Sequence, residues 1–163
     1  AMQKGWQYTG GAWYYLGNDG VMQTGWIQEG GNSYYLSSSG AMKTGWLQDN
    51  GKWYLLNSSG AMLRGWQYTG GAWYYLGSDG IMQTGWVQEG GNSYYLTSSG
   101  AMKTGWLQDN GKWFYLNSSG VMLKGWVKHS GVWYYLGQDG VMYTGTHVID
   151  NTTYNFDTTG ALA

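Results

Sequence analysis

The chain has no cysteine and no proline among its 163 residues. The first absence excludes disulfides, thiolate metal sites and a catalytic thiol. The second, beside 30 glycines, excludes a collagen-like chain and a Pro-rich spacer. Charge is scarce as well: 10% of residues are charged, against about 25% in ordinary domains. Eight Lys and Arg face nine Asp and Glu, for a net charge of −1. Gripping a nucleic-acid backbone takes many basic contacts, so no nucleic-acid partner is expected. No apolar run is long enough to span a membrane. No window carries the apolar spacing of a helix, and glycine interrupts every stretch that might. What the chain has instead is aromatic residues, 18% of the total, with 12 Trp and 16 Tyr but only 2 Phe.

These residues fall on a 20-residue period that never slips. One column is Gly5, Gly25, Gly45 and onward to Gly145. The next is Trp6, Trp26 and onward to Trp126, broken only by Thr146. A leucine column runs from Leu16 to Leu136 and ends in Phe156, and a methionine column from Met22 to Met142 ends in Leu162. A longer order lies on top: residues 5–60 match residues 65–120 at all but six positions. Equivalent surroundings for every third unit would follow from a superhelix of about three units per turn. Duplication of a three-unit block explains the match as well.

Each unit reads as a β-hairpin. In the unit beginning at Gly45, "GWLQ" is a short strand and Asp49, Asn50 and Gly51 form a tight turn. "KWYLL" is an aromatic-rich second strand, and Asn57 to Gly60 form a loop. A lone hairpin is marginal in water, whereas stacked hairpins bury one another's faces. The expected fold is therefore all-β: a solenoid of stacked 20-residue hairpins. Seven repeats occupy residues 1–144, and a divergent, more polar repeat at 145–163 acts as a cap. Its Val148, Ile149, Phe156 and Leu162 leave room for a homodimer through this end.

Strand alternation puts Trp13 and Tyr15 on one face and Tyr14 and Leu16 on the other. The Leu column hardly varies, which assigns that side to packing. The Trp13 column reads Trp13, Ser33, Trp53, Trp73, Ser93, Trp113, Trp133 and Thr153. A core position rarely exchanges Trp for Ser, because the cavity would be large. A surface pocket present in some units and absent in others accepts the exchange. Two indoles seven residues apart, closed by a ring from the next hairpin, make an aromatic box. Such a box suits a quaternary ammonium, which is drawn by ring quadrupoles and has no N–H to satisfy.

The pattern of "TGWLQDNGKWFYLNSSGVM", Thr104 to Met122, resembles the choline-binding repeats of pneumococcal-type surface proteins. The resemblance covers essentially the whole chain and is weakest in the last unit. It implies a left-handed hairpin solenoid whose choline sites lie between successive hairpins. It also implies a secreted module, held at the bacterial surface by phosphocholine on teichoic and lipoteichoic acids. Transferred by position, the boxes are Trp6, Trp13 and Tyr35; Trp46, Trp53 and Tyr75; Trp66, Trp73 and Tyr95; and Trp106, Trp113 and Tyr135. The second Tyr of each pair is chosen because it shares a face with the Trp column; the first, such as Tyr34, is the alternative. Ser33 and Leu55 leave the unit at Gly25 without a site, and Ser93 leaves the unit at Gly85 a weak or altered one. Trp126 and Trp133 face Asn155, so Tyr154 or a partner chain would have to complete that box.

The competing reading is a glucan-binding repeat, since indole faces also stack on sugars. Similar repeats of that kind usually lack the Trp pair seven residues apart that five units carry here. Catalysis, cofactors and metals are not expected. The carboxylates Asp19, Glu29, Asp49, Asp79, Glu89, Asp109 and Asp139 recur in turns, where they are expected to bind backbone. His129, His147 and Asp150 read as surface residues.

Overall fold

A computed structural model describes residues 1–163. It is all-β, with sixteen five-residue strands and no helix, hence no helix able to cross a membrane. In the first hairpin, β1 (Gly5–Thr9) pairs antiparallel with β2 (Ala12–Leu16). The other seven hairpins occupy 25–36, 45–56, 65–76, 85–96, 105–116, 125–136 and 145–156 and are numbered 2 to 8 below. Each is its own two-stranded sheet. The chain forms two compact units, Ala1–Gln83 with hairpins 1 to 4 and Thr84–Ala163 with hairpins 5 to 8.

Two-residue turns set every register. In hairpin 3 the turn residues Asn50 and Gly51 have φ of +51° and +76°. Positive φ at both central positions defines the hairpin turn whose twist matches the strands. The register places Trp6 opposite Tyr15, Tyr8 opposite Trp13, and Gln7 opposite Tyr14. Trp6, Tyr8, Trp13 and Tyr15 therefore share one face, while Gln7, Tyr14 and Leu16 share the other.

After each hairpin the chain folds back. Gly40 N–H donates to the Ser37 carbonyl, and Met42 forms a β-bridge with Leu36. The same connector then bonds the preceding hairpin: Met42 N–H donates to the Trp13 carbonyl at 2.8 Å. Within the first unit, Met62 to Ser33 and Met82 to Trp53 repeat this link, and Met122 to Ser93 and Met142 to Trp113 do so in the second. A hairpin too small to stand alone thus has its outer strand edged by its neighbour's connector. The leucine column is the core: Leu36, Leu56, Leu76, Leu96, Leu116 and Leu136 are almost wholly buried.

Hairpin 8 carries no Trp. Ile149 and Phe156 are buried inside the second unit, and Phe156 lies 5.8 Å, centroid to centroid, from Trp126. Of the residues considered for self-association, Val148 alone is strongly exposed, at 68%.

Candidate functional site

The site begins with the two-faced hairpin. Trp6 and Trp13 stand edge to face on one side of hairpin 1, with ring centroids 6.4 Å apart and planes at 87°. Hairpin 2 turns its opposite face toward them. Tyr34 meets Trp6 at 5.0 Å and 70°. Trp6, Trp13, Tyr34 and Met42 then line a groove of about 390 Å³, which Ser58 and Ser59 from the loop after hairpin 3 also border.

The arrangement recurs. Trp46 lies 6.5 Å from Trp53 and 4.9 Å from Tyr74. Trp106 lies 6.4 Å from Trp113 and 4.9 Å from Tyr134. Trp126 lies 6.2 Å from Trp133 and 4.9 Å from Tyr154. The outer indoles Trp13, Trp53, Trp73, Trp113 and Trp133 are all exposed, near 40% each. Rings this open are not core, in keeping with the Trp/Ser exchange in their column.

The expected third rings are placed elsewhere. Tyr35, Tyr75, Tyr95 and Tyr135 each sit beside the first Trp of their own hairpin. Tyr35 is 5.1 Å from Trp26, Tyr75 is 4.9 Å from Trp66, Tyr95 is 5.1 Å from Trp86 and Tyr135 is 5.0 Å from Trp126. Sharing a face with the Trp column points them into the groove of their own hairpin, not the preceding one. The preceding groove meets the other face, and so receives the first aromatic of the pair. The sequence held a signal for this: positions 14, 34, 54, 74, 94, 114, 134 and 154 are aromatic without exception. The column of Tyr35 is interrupted by Leu55 and Asn155. The same geometry supplies Tyr154 to hairpin 7 from within the chain. In hairpin 4, Tyr68 packs on Trp73 at 5.2 Å, an added ring that hairpin 1 matches with Tyr8 on Trp13 at 5.1 Å.

Hairpins 2 and 5 differ. Trp26 retains Tyr54 at 4.9 Å, and Trp86 retains Phe114 at 5.0 Å, but serine replaces the outer indole. Gln28 Nε2 donates to Ser33 Oγ at 2.5 Å, and Gln88 pairs with Ser93 likewise.

The carboxylates divide into two kinds. Asp19, Asp79 and Asp139 accept backbone N–H bonds in their loops, as expected. Others reach back to an aromatic of the preceding hairpin. Glu29 accepts from the Tyr15 hydroxyl at 2.5 Å, and Asp49 and Asp109 accept from the indole N–H of Trp26 and Trp86 at 3.2 and 3.1 Å. The Glu29 bond raises the Tyr15 phenol above its ordinary pKa. His129 likewise reaches back to the preceding hairpin and is not a free turn residue: its Nδ1 lies 3.3 Å from the Tyr115 hydroxyl and its ring 6.1 Å from Trp106. His147 stacks on Tyr143 at 4.0 Å. Asp150 is an exposed turn residue with φ of +50°.

Hairpin repeats of this kind, with open aromatic grooves between neighbours, define a ligand-binding repeat module. The family model "Choline-binding repeat" matches residues 3–45, 63–105 and 103–146, and "Putative cell wall binding repeat" matches 44–62. The chain belongs to the choline-binding repeat family. Among solved structures it is similar to choline binding protein F from Streptococcus pneumoniae, at 43% identity over 99% of this chain and 57% of that one, with a TM-score of 0.90. CbpJ from Streptococcus pneumoniae TIGR4 gives 41% identity over 93% of this chain and 56% of that one, also with a TM-score of 0.90. The choline-binding domain of CbpL from Streptococcus pneumoniae gives 36% identity over 99% of this chain and 87% of that one, at a TM-score of 0.76. The chain thus spans a little over half the length of the first two. No match was found among curated proteins.

Proposed function

We propose that the three-ring grooves each take the trimethylammonium head of choline, and that the module thereby holds a secreted protein to phosphocholine on teichoic and lipoteichoic acids of a Gram-positive wall. The observation that carries this reading is the convergence of Trp106, Trp113 and Tyr134, with Trp113 left 39% exposed. Each ring contributes roughly 0.5–2 kcal/mol of cation–π attraction. Three give a few kcal/mol, close to the ~4 kcal/mol of a millimolar site. A single groove is therefore a weak binder. Several grooves facing a polymer that repeats the ligand gain avidity of about 10²–10⁴. The Trp66 and Trp73 pair of hairpin 4 belongs to the same reading.

Choline titration followed by tryptophan fluorescence and calorimetry tests it, with Trp53→Ala and Trp113→Ala as variants. Each variant should lose one groove from the stoichiometry. Unchanged stoichiometry in both would defeat the assignment. Elution from an amine-bearing resin by choline, but not by glucans, separates this reading from glucan binding.

A further inference from the structure

Hairpins 2 and 5 lack an outer indole; Ser33 of hairpin 2 is buried, whereas hairpin 5 keeps an open groove. In hairpin 5 a groove of about 390 Å³ remains, and Trp86 is 36% exposed. Trp86, Gln88, Ser93, Phe114, Lys124 and Asp139 are among its lining residues. Its chemistry is the reverse of the three-ring boxes. One indole face survives. Beside it stand an amide and a hydroxyl already aligned by their mutual bond. An ammonium and a carboxylate complete the wall, so the groove carries donors and acceptors of both kinds and no net charge.

The basic residue is tied to the serine. Positions 24, 44, 84, 104 and 144 are threonine, whereas positions 4, 64 and 124 are Lys, Arg and Lys; Lys4 precedes the first hairpin and has no outer-column residue 31 positions before it. Arg64 and Lys124 each stand 31 residues after a serine of the outer column, Ser33 and Ser93. The Trp of that column at 13, 53, 73 and 113 is followed at the same interval by Thr44, Thr84, Thr104 and Thr144. The two copies of the block have diverged from Arg to Lys while keeping the charge. A cation in the wall repels a quaternary ammonium, and the missing indole removes part of its attraction. Lys124 would draw an anion, but Asp139 in the same wall and Asp109 on the Trp86 indole N–H oppose one. What fits is a neutral ring with an apolar face for the indole and hydroxyls for the amide, hydroxyl, ammonium and carboxylate. A site built to hydrogen-bond hydroxyls discriminates strongly against ligands that lack them.

We propose that the groove of hairpin 5 binds a neutral saccharide ring, stacked on Trp86 and hydrogen-bonded by the Gln88–Ser93 pair. The module would then read two features of a wall polymer, its choline heads and its sugar rings. This goes beyond the choline reading, and the two can fail separately.

The test uses the full ¹⁵N-labelled chain with choline at saturation, titrated with N-acetylglucosamine and with glucose. The indole N–H signal of Trp86, assigned through a Trp86→Phe variant, is followed with the side-chain amide of Gln88. A saccharide should move these signals and leave Trp106 and Trp113 unmoved. Gln88→Ala combined with Ser93→Ala should weaken the Trp86 response about tenfold, the loss of one or two hydrogen bonds. Lys124→Thr, a surface change, should weaken it with the fold intact. The proposal is overturned if neither saccharide moves Trp86 at about 50 mM, a level that would detect even sites weaker than millimolar. It is equally overturned if inorganic phosphate moves that signal instead, or if choline alone shifts Trp86 as it shifts Trp106. A failure of the choline reading would show at Trp106 and Trp113 in the choline titration alone.

Discussion

Trp6 and Tyr34 stand 5.0 Å apart at 70°, on facing sides of adjacent hairpins, so that the rim of one ring meets the face of the other. This contact turns two separate hairpins into one groove. Tyr34→Ala should therefore weaken choline binding at the first groove, by about 2- to 30-fold for one cation–π wall. Tyr35→Ala should leave that groove within about twofold, because its ring packs on Trp26 at 5.1 Å. Site-resolved titration of the Trp6 indole signal separates the two. Equal losses in both variants would contradict the placement.

The contrast between Tyr34 and Tyr35 also marks what the sequence could and could not convey. The hairpins, their turns at Asn50 and Gly51, the leucine core and the exposed Trp13 column all follow from a fixed period and strand alternation, which are local rules. Which face of hairpin 2 turns toward hairpin 1 is a property of stacking, and strand alternation within one hairpin does not contain it. For the same reason Glu29 and Asp49 read as turn residues, while the fold carries them back to Tyr15 and Trp26. Tyr154 shows the other side of the matter. Its ring position was legible once the unbroken aromatic column, not the face, was followed.

Gly60 and Gly51 both have positive φ, +85° and +76°, but they sit in different surroundings. A Cβ at Gly51 would meet nothing within 4 Å, whereas one at Gly60 would lie 2.4 Å from Met42 Sδ. Gly51→Ala should cost about 1–2 kcal/mol for the left-handed backbone alone. Gly60→Ala should cost that and about 1–3 kcal/mol more from overpacking. In the double variant with Met42→Ala, the excess should shrink, since the clashing side chain is gone. Urea unfolding curves measure all three, and equal costs for the two single variants would refute the packing role of Met42.

Tyr54 is held above the ordinary phenol pKa of 10.0 by burial first, and then by the negative charges of Asp49 and Asp79. The folded chain thus favours the neutral phenol more than the unfolded chain does. The corresponding stability is complete below the unfolded value and is lost as pH rises through the folded one. Tyr54→Phe keeps the ring, as Phe114 does at the matching position of hairpin 6, and removes the titration. Melting temperatures of the two proteins should run parallel up to about pH 9 and diverge above about pH 10, the wild type falling faster. Curves that stay parallel to about pH 11.5 would show that Tyr54 titrates as a free phenol.

Lys128 places its ammonium 5.7 Å from the centre of the Trp133 ring. Hairpins 3 and 6 carry Gln48 and Gln108 at that position, opposite Trp53 and Trp113. A cation already beside the indole opposes a second cation entering the groove formed by Trp126, Trp133 and Tyr154. The exposed setting keeps the effect small and open to screening by salt. Lys128→Gln should tighten choline binding at this groove about threefold at low ionic strength, from the repulsion of two unit charges some 6 Å apart in water. The gain should fade near 1 M salt, where the Debye length drops to about 3 Å. Titration of the Trp133 indole signal at both ionic strengths checks both halves. A variant that binds choline no better at low salt would mean that the lysine and the ligand do not compete for the ring. The affinity of the groove of hairpin 7 would then be set by its three rings alone.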